Sequence, residues 1–277
     1  MSLLHVENLR IRFPTDQGEV EVVKGLTFDL NRERLGIVGE SGSGKSMTGR
    51  ALMGLIAPPG RVTAERLEFD GIDLRALPES GFRKLRGARM SMVLQDPKFS
   101  LNPVIRIGDQ IGEALQFHRR MPAAARRRAV LEVLEAVRID DPERVYRLFP
   151  HEVSGGMGQR VMIAMMVVLE PDLMIADEPT SALDVSVRAT VLEILDDLVR
   201  RRGMGLILIS HDLDMVARWC DRILVMYAGR VVEECAAGQL HAATHPYTRG
   251  LLASVPHLNE TRRRLPVLNR AAIGAGT

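Results

Sequence analysis

The sequence predicts an α/β protein: a parallel sheet covered by helices, with antiparallel strands at its start and a helical insertion in its middle. Three observations carry this. Four short, unbroken apolar runs, "LGIVG" (Leu35–Gly39), "LMIAD" (Leu173–Asp177), "LILIS" (Leu206–Ser210) and "RILVM" (Arg222–Met226), suit strands buried on both faces. The opening segments "LLHVENLRIRF" and "VEVVKGLTFDL" alternate apolar and polar residues around the polar turn "PTDQGE", as antiparallel strands do. From about Pro97 to Glu170 the pattern is helix and loop, with no strand-like run.

The helices between the strands have legible limits. Ser46–Ile56 reads as a helix stopped by Pro58-Pro59. Val130, Leu134 and Val137 share one helical face. So do Leu192, Leu195 and Val199, on a segment with Asp196–Arg200 and Asp197–Arg201 spaced four apart and Gly203 as its stop. The tail from about Gly238 has weak periodicity, and no internal repeat or low-complexity tract is visible.

Composition narrows the class. The chain has 277 residues, 46% hydrophobic and 26% charged, enough for one large domain with a subdomain. A net charge of +2 gives no broad field for nucleic acid, and the basic clusters His118–Arg120, Arg126–Arg128 and Arg262–Arg264 read as solvated faces. The two cysteines, Cys220 and Cys235, form neither a metal spacing nor a disulfide framework, which suits a reducing compartment. No signal peptide opens the chain. The longest apolar run, Val161–Leu169, is far shorter than the roughly 20 residues needed to span a bilayer.

The chemistry gathers at the ends of the apolar runs. Gly39-Glu40-Ser41-Gly42-Ser43-Gly44-Lys45-Ser46 fits G-x-x-x-x-G-K-[ST] between a strand and a helix, the context of a phosphate-binding loop. Its glycines let backbone N–H groups close around phosphate oxygens, and the helix start adds its dipole. Lys45 supplies a charge to the β- and γ-phosphates, and Ser46 a hydroxyl to Mg²⁺. Asp177 ends a buried strand where a carboxylate can hold Mg²⁺ through water, and Glu178 follows as a general base for the attacking water. An acidic pair there can also cap a helix, but the phosphate loop favours the catalytic reading. Gln95, in "MVLQDP", stands where it can touch Mg²⁺ or the water. His211, in "LILISHD", ends a third strand, at the sheet edge where open α/β folds bind ligands. A second anion-binding helix start, "VSGGMGQR" (Val153–Arg160), precedes a long apolar stretch.

In this order and spacing, covering nearly the whole chain, the motifs resemble the ATP-binding subunits of ABC transporters. "GESGSGKS" resembles the Walker A motif, "LMIADE" the Walker B, "SALD" (Ser181–Asp184) the D-loop and "VSGGMGQR" the family signature. The resemblance implies a P-loop NTPase fold with a RecA-like parallel core, an N-terminal antiparallel β subdomain and a helical subdomain at about 97–170. It implies an ATP-binding domain over residues 1–237 and an extension over 238–277. It assigns Glu178, His211 and Gln95 to catalysis, Phe13 to adenine stacking, and Ser46, Gln95 and Asp177 to Mg²⁺. Ser154, Gly155, Gly156 and Gln159 would face ATP held by a partner subunit, and Asp184 would bridge to that partner.

"MVLQDPKFSLNPVIRIGDQIGEAL" and "HPYTRGLLASVP" resemble the dipeptide, oligopeptide and nickel importer branch. That implies hydrolysis of ATP with Mg²⁺, coupled to uptake of such a solute at the cytoplasmic face of a bacterial inner membrane. The implied partners are a second ATP-binding subunit, two permease subunits and a solute-binding protein, and no nucleic acid. Some relatives carry a cysteine-bearing tail for an iron–sulfur cluster; with no cysteine after Cys235, none is expected here. Three places depart from the pattern: Val153 stands where the signature has Leu, Gly158 where the branch has Arg, and "NRER" where the strand before Walker A is usually preceded by Gly-Glu. Glycine inside a helix costs up to about 1 kcal/mol relative to alanine, so a weaker signature half-site is expected. Two other classes stay open at this stage. One is a subunit of a soluble carbon–phosphorus lyase complex, similar to this branch. The other is an ABC ATPase of DNA repair or translation, although no tandem cassette or coiled-coil insertion is visible.

Overall fold

The computed structural model describes residues 2–94, 100–181 and 183–254. Two sheets organise them. In the first, the alternating N-terminal segments pair as the antiparallel strands β1 (Leu4–Thr15) and β2 (Gly18–Leu30). Their inward faces bury Leu4, Val6, Leu9, Ile11, Leu26 and Leu30. Three short strands, β4 (Arg61–Thr63), β5 (Arg66–Phe69) and β6 (Ile72–Asp73), complete this sheet.

The second sheet has six strands in the order β11-β10-β3-β9-β8-β7. These are β3 (Arg34–Val38), β7 (Met90–Val93), β8 (Leu173–Asp177), β9 (Gly205–Ser210), β10 (Arg222–Tyr227) and β11 (Arg230–Ala236). The four apolar runs are its four central strands, β10, β3, β9 and β8, paired parallel throughout. β7, the strand of "MVLQDP", joins parallel at one edge, and β11 closes the other edge antiparallel. Every residue of β8 and β9 is buried, which is why these runs show no alternation.

Helices cover both faces of this sheet. α1 (Lys45–Leu52) follows β3 and ends four residues before the predicted limit at Ile56, with the cap at Met53. It lies close on the sheet at Gly49, where a Cβ would stand 3.1 Å from Ile209 and 3.2 Å from Ile175. α2 (Glu79–Leu85) precedes β7. Between residues 100 and 170 the described residues form helices and no strand, as expected. These are α3 (Ile107–Arg119), α4 (Ala123–Ala136), α5 (Pro142–Arg147) and α6 (Gly155–Val167). The predicted face Val130, Leu134 and Val137 is fully buried among them. α7 (Val185–Arg202) buries Leu192, Leu195 and Val199. Its two spaced ion pairs form at 3.0 and 3.9 Å, and Gly203 ends it at φ 60°. α8 (Leu213–Trp219) follows β9, and α9 (Pro246–Ser254) follows β11.

The strand ends place the chemistry. Gly39 follows β3, Glu178 follows β8 and His211 follows β9, all at the carboxyl edge of neighbouring parallel strands.

Candidate active site

The loop between β3 and α1 takes its shape from glycine. Gly42 and Gly44 have φ of 81° and 100°, in the left-handed region that other residues rarely adopt. Gly44 is the cap of α1, and its carbonyl accepts from both the N–H and the hydroxyl of Thr48. Lys45 is buried, and its ammonium donates to the carbonyls of Gly39 at 2.7 Å and Glu40 at 2.8 Å. Burial lowers the Lys45 pKa from its ordinary value, while Glu178 and Asp177 oppose that shift by holding the charge.

The acidic pair lies against this loop. Ser46 Oγ donates to Asp177 Oδ1 at 2.8 Å, joining residues 131 positions apart. Asp177 is only 6% exposed. Burial raises its carboxyl pKa, against the pull of the Ser46 hydrogen bond. Glu178 has φ 50°, a strained value for a side chain of this size and one costing about 1–3 kcal/mol. The backbone holds it there: its N–H donates to Ile209 O at 2.9 Å, and its carbonyl accepts from the Ser181 hydroxyl at 3.2 Å. The Glu178 side chain reaches His211, whose Nδ1 lies 2.8 Å from Glu178 Oε1. The imidazole is mostly exposed and the carboxylate mostly buried.

Ser41, Gly42, Gly44, Lys45, Ser46, Glu178 and His211 line one cleft of about 640 Å³. Val22 and Met47 complete its wall. Neither belongs to a motif; both arrive because β2 and α1 border the loop. Phe13, expected at the adenine, is not among the described residues lining this cleft. It pairs with Val20 on β1–β2, and its ring lies against Gly60 beside Ile56. Gln95 lies outside the described residues.

The signature residues form a separate helix start. Ser154 and Gly155 are exposed at the beginning of α6, and the Ser154 hydroxyl accepts from Met157 N–H at 3.4 Å. Gly156 allows close packing: a Cβ there would stand 2.5 Å from Val187 Cγ1 on α7. Val153 packs against the larger apolar core, and Gly158 is buried. Gln159 departs from expectation. It is 1% exposed and donates to Pro179 O at 2.6 Å, so it faces the interior and ties α6 to the segment after Glu178. The helical period explains the inversion: Ser154 and Gly155 stand at the exposed tip, while residue 159 has turned onto the buried face. Asp184 caps α7 through Val187 N–H at 2.9 Å.

The donor set fits a hard cation. A buried carboxylate and a hydroxyl 2.8 Å apart, beside a lysine-bearing anion loop, are oxygen ligands of the kind Mg²⁺ takes with substrate phosphates.

Comparison with known proteins agrees with this geometry. The family model for ABC transporters matches residues 23–181. The chain is 46% identical over 260 residues to the dipeptide transport ATP-binding protein DppD of Bacillus subtilis, covering 93% of this chain and 78% of that one. It is 46% identical over 270 residues to the oligopeptide transport ATP-binding protein OppD of Escherichia coli, covering 96% and 80%. Among solved structures, the dimeric bacterial ABC transporter cassette MJ0796 superposes with a TM-score of 0.74 at 28% identity, over 84% of this chain and 98% of that one. With a phosphate loop, a buried acidic pair and a histidine assembled at one sheet edge, the chain belongs to the ABC transporter family and is an ATPase of that family.

Proposed function

We propose that the chain is the ATP-hydrolysing subunit of a bacterial importer for dipeptides, oligopeptides or a related solute such as nickel. The observation that carries the catalytic reading is the contact of Glu178 with His211, in the same cleft as Lys45 and Ser46. The solute class is supported by the similarity to DppD and OppD along nearly the whole chain. Glu178 takes the proton of the attacking water, and His211 orients that carboxylate and meets the γ-phosphate. Lys45 and the loop N–H groups hold the phosphates. Ser46 and Asp177 would hold Mg²⁺, which would supply neutralisation of the phosphate charge when bound.

The exposed start of α6 faces a second ATP-binding subunit, a copy or a paralogue, in this reading. Ser154, Gly155 and Gly156 then meet the γ-phosphate of ATP bound mainly by that subunit, and Asp184 lies at the same junction. The structure of MJ0796 as a dimer supports such pairing. The helical segment at about 97–170 docks on two permease subunits, and a solute-binding protein delivers the solute. The chain sits peripherally at the cytoplasmic face of the membrane; among the described residues no helix is long and apolar enough to cross one.

Two measurements test the reading. The tagged chain, purified with its membrane, should bring down two permeases and an ATP-binding partner. Deleting its gene should abolish uptake of labelled dipeptides or oligopeptides, or of nickel. Co-elution with a soluble assembly lacking permeases would replace the importer reading.

A further inference from the structure

The helix after β11 reaches the nucleotide loop. Glu233 on β11 accepts from the N–H of Thr244 at 2.6 Å, the N–H of His245 at 3.3 Å and the Thr244 hydroxyl at 3.3 Å. These bonds fasten the start of α9. One residue into that helix, Tyr247 is fully buried, with its ring 4.4 Å from that of Tyr227 at the end of β10. The Tyr247 hydroxyl accepts from the backbone N–H of Glu40 at 2.9 Å, across 207 positions.

That N–H belongs to the peptide unit joining Gly39 to Glu40. The carbonyl of the same unit, Gly39 O, accepts from Lys45 Nζ at 2.7 Å. Tyr247 and Lys45 therefore hold opposite ends of one peptide. The unit is planar, so fixing its N–H fixes the direction of its C=O. The fixing matters at this position because Gly39 is glycine, with φ 153° and little intrinsic preference to hold the peptide. Glycine is required there, since a Cβ would stand 2.1 Å from Met226 O.

We propose that Tyr247 is a positioning residue for ATP binding: it sets the Gly39–Glu40 peptide and, through it, the place of the Lys45 ammonium. The helix after β11 is then a working part of the nucleotide site. The inference rests on reading Gly39–Ser46 as the ATP loop.

The test is Tyr247→Phe in the full-length chain, which keeps the ring against Tyr227 and removes the acceptor. Losing one hydrogen bond to a half-buried N–H should raise the Kd and KM for ATP roughly three- to tenfold while kcat stays within about twofold, because Glu178 and His211 are untouched. Hydrogen exchange at the Glu40 amide should also quicken. An unchanged ATP affinity overturns the proposal, and so does a fall in kcat at constant KM. If Tyr247→Phe does not fold, Glu233→Ala carries the test. It keeps the hydroxyl but unfastens α9, and it too should raise the Kd for ATP. Lys45→Ala separates the two readings. If it binds ATP like the parent, the loop reading fails. If it loses ATP while Tyr247→Phe matches the parent, only the role of Tyr247 fails.

Discussion

Glu178 and His211 meet at 2.8 Å, carboxylate to imidazole, from the ends of two neighbouring strands and 33 positions apart in the chain. Glu178 stands in a left-handed turn whose N–H donates to the Ile209 carbonyl. The proposed base and its orienting partner thus both stand at the carboxyl edge of the sheet.

Glu178→Gln keeps the size of the side chain and an oxygen for His211 but cannot take a proton. Turnover should fall by roughly a hundredfold or more with ATP binding retained, measured by phosphate release and by equilibrium binding. His211→Ala should lower turnover in the same assay. Undiminished hydrolysis by Glu178→Gln would remove the base assignment.

Asp177 is held at a cost. Burial raises its pKa, so the folded chain keeps its proton more tightly than the unfolded chain does. That preference favours folding in full below the ordinary carboxylate pKa, and it is lost as pH rises through the elevated native value. Ionisation of this carboxylate therefore weakens the fold. Asp177→Asn should raise Tm by roughly 2–4 °C at neutral pH for each kcal/mol relieved, with turnover lost. The gain should shrink toward pH 4. A lower Tm for the variant at neutral pH would contradict this account.

Gly155 and Gly156 separate packing from phosphate contact. A Cβ at Gly156 runs into Val187, so Gly156→Ala should destabilise the fold by about 1–3 kcal/mol in denaturant titrations. At Gly155 a Cβ would meet no atom beyond its chain neighbours and its own helix backbone within 4 Å, so Gly155→Ala should leave stability within about 0.5 kcal/mol. Its hydrolysis in the assembled complex should nonetheless fall, because the methyl blocks close approach of a partner's phosphate. Full activity in the complex would show that Gly155 meets no phosphate.

The two thiols should react in order. Burial pushes Cys220 up to about 12, and burial also raises the half-buried Cys235. Iodoacetamide at pH 8 should label Cys235 first and Cys220 only on unfolding, read by mass spectrometry. Early labelling of Cys220 in the native protein would show that its site opens.

The sequence by itself determined what is local. The strand, loop and helix around Gly39–Ser46 are contiguous, so their residues announce the phosphate loop without any partner. Continuous apolar runs marked the central strands because both faces of β8 and β9 are covered. The helix start at Val153–Arg160 and the stop at Gly203 were legible for the same reason, since helix ends are set within a single turn. Tertiary structure decided what depends on distance and direction. Only the sheet order brings Ser46 to Asp177 and Glu178 to His211. Only the packing of α6 turns Gln159 inward to Pro179 and away from its expected ligand. Phe13 lies against Gly60 while Val22, which no motif marks, lines the cleft. The reach of Tyr247 to Glu40 has no local signal at all. Spacing along a chain reports neighbours within a turn or a strand; contacts across hundreds of positions exist only once the sheet has aligned its edges.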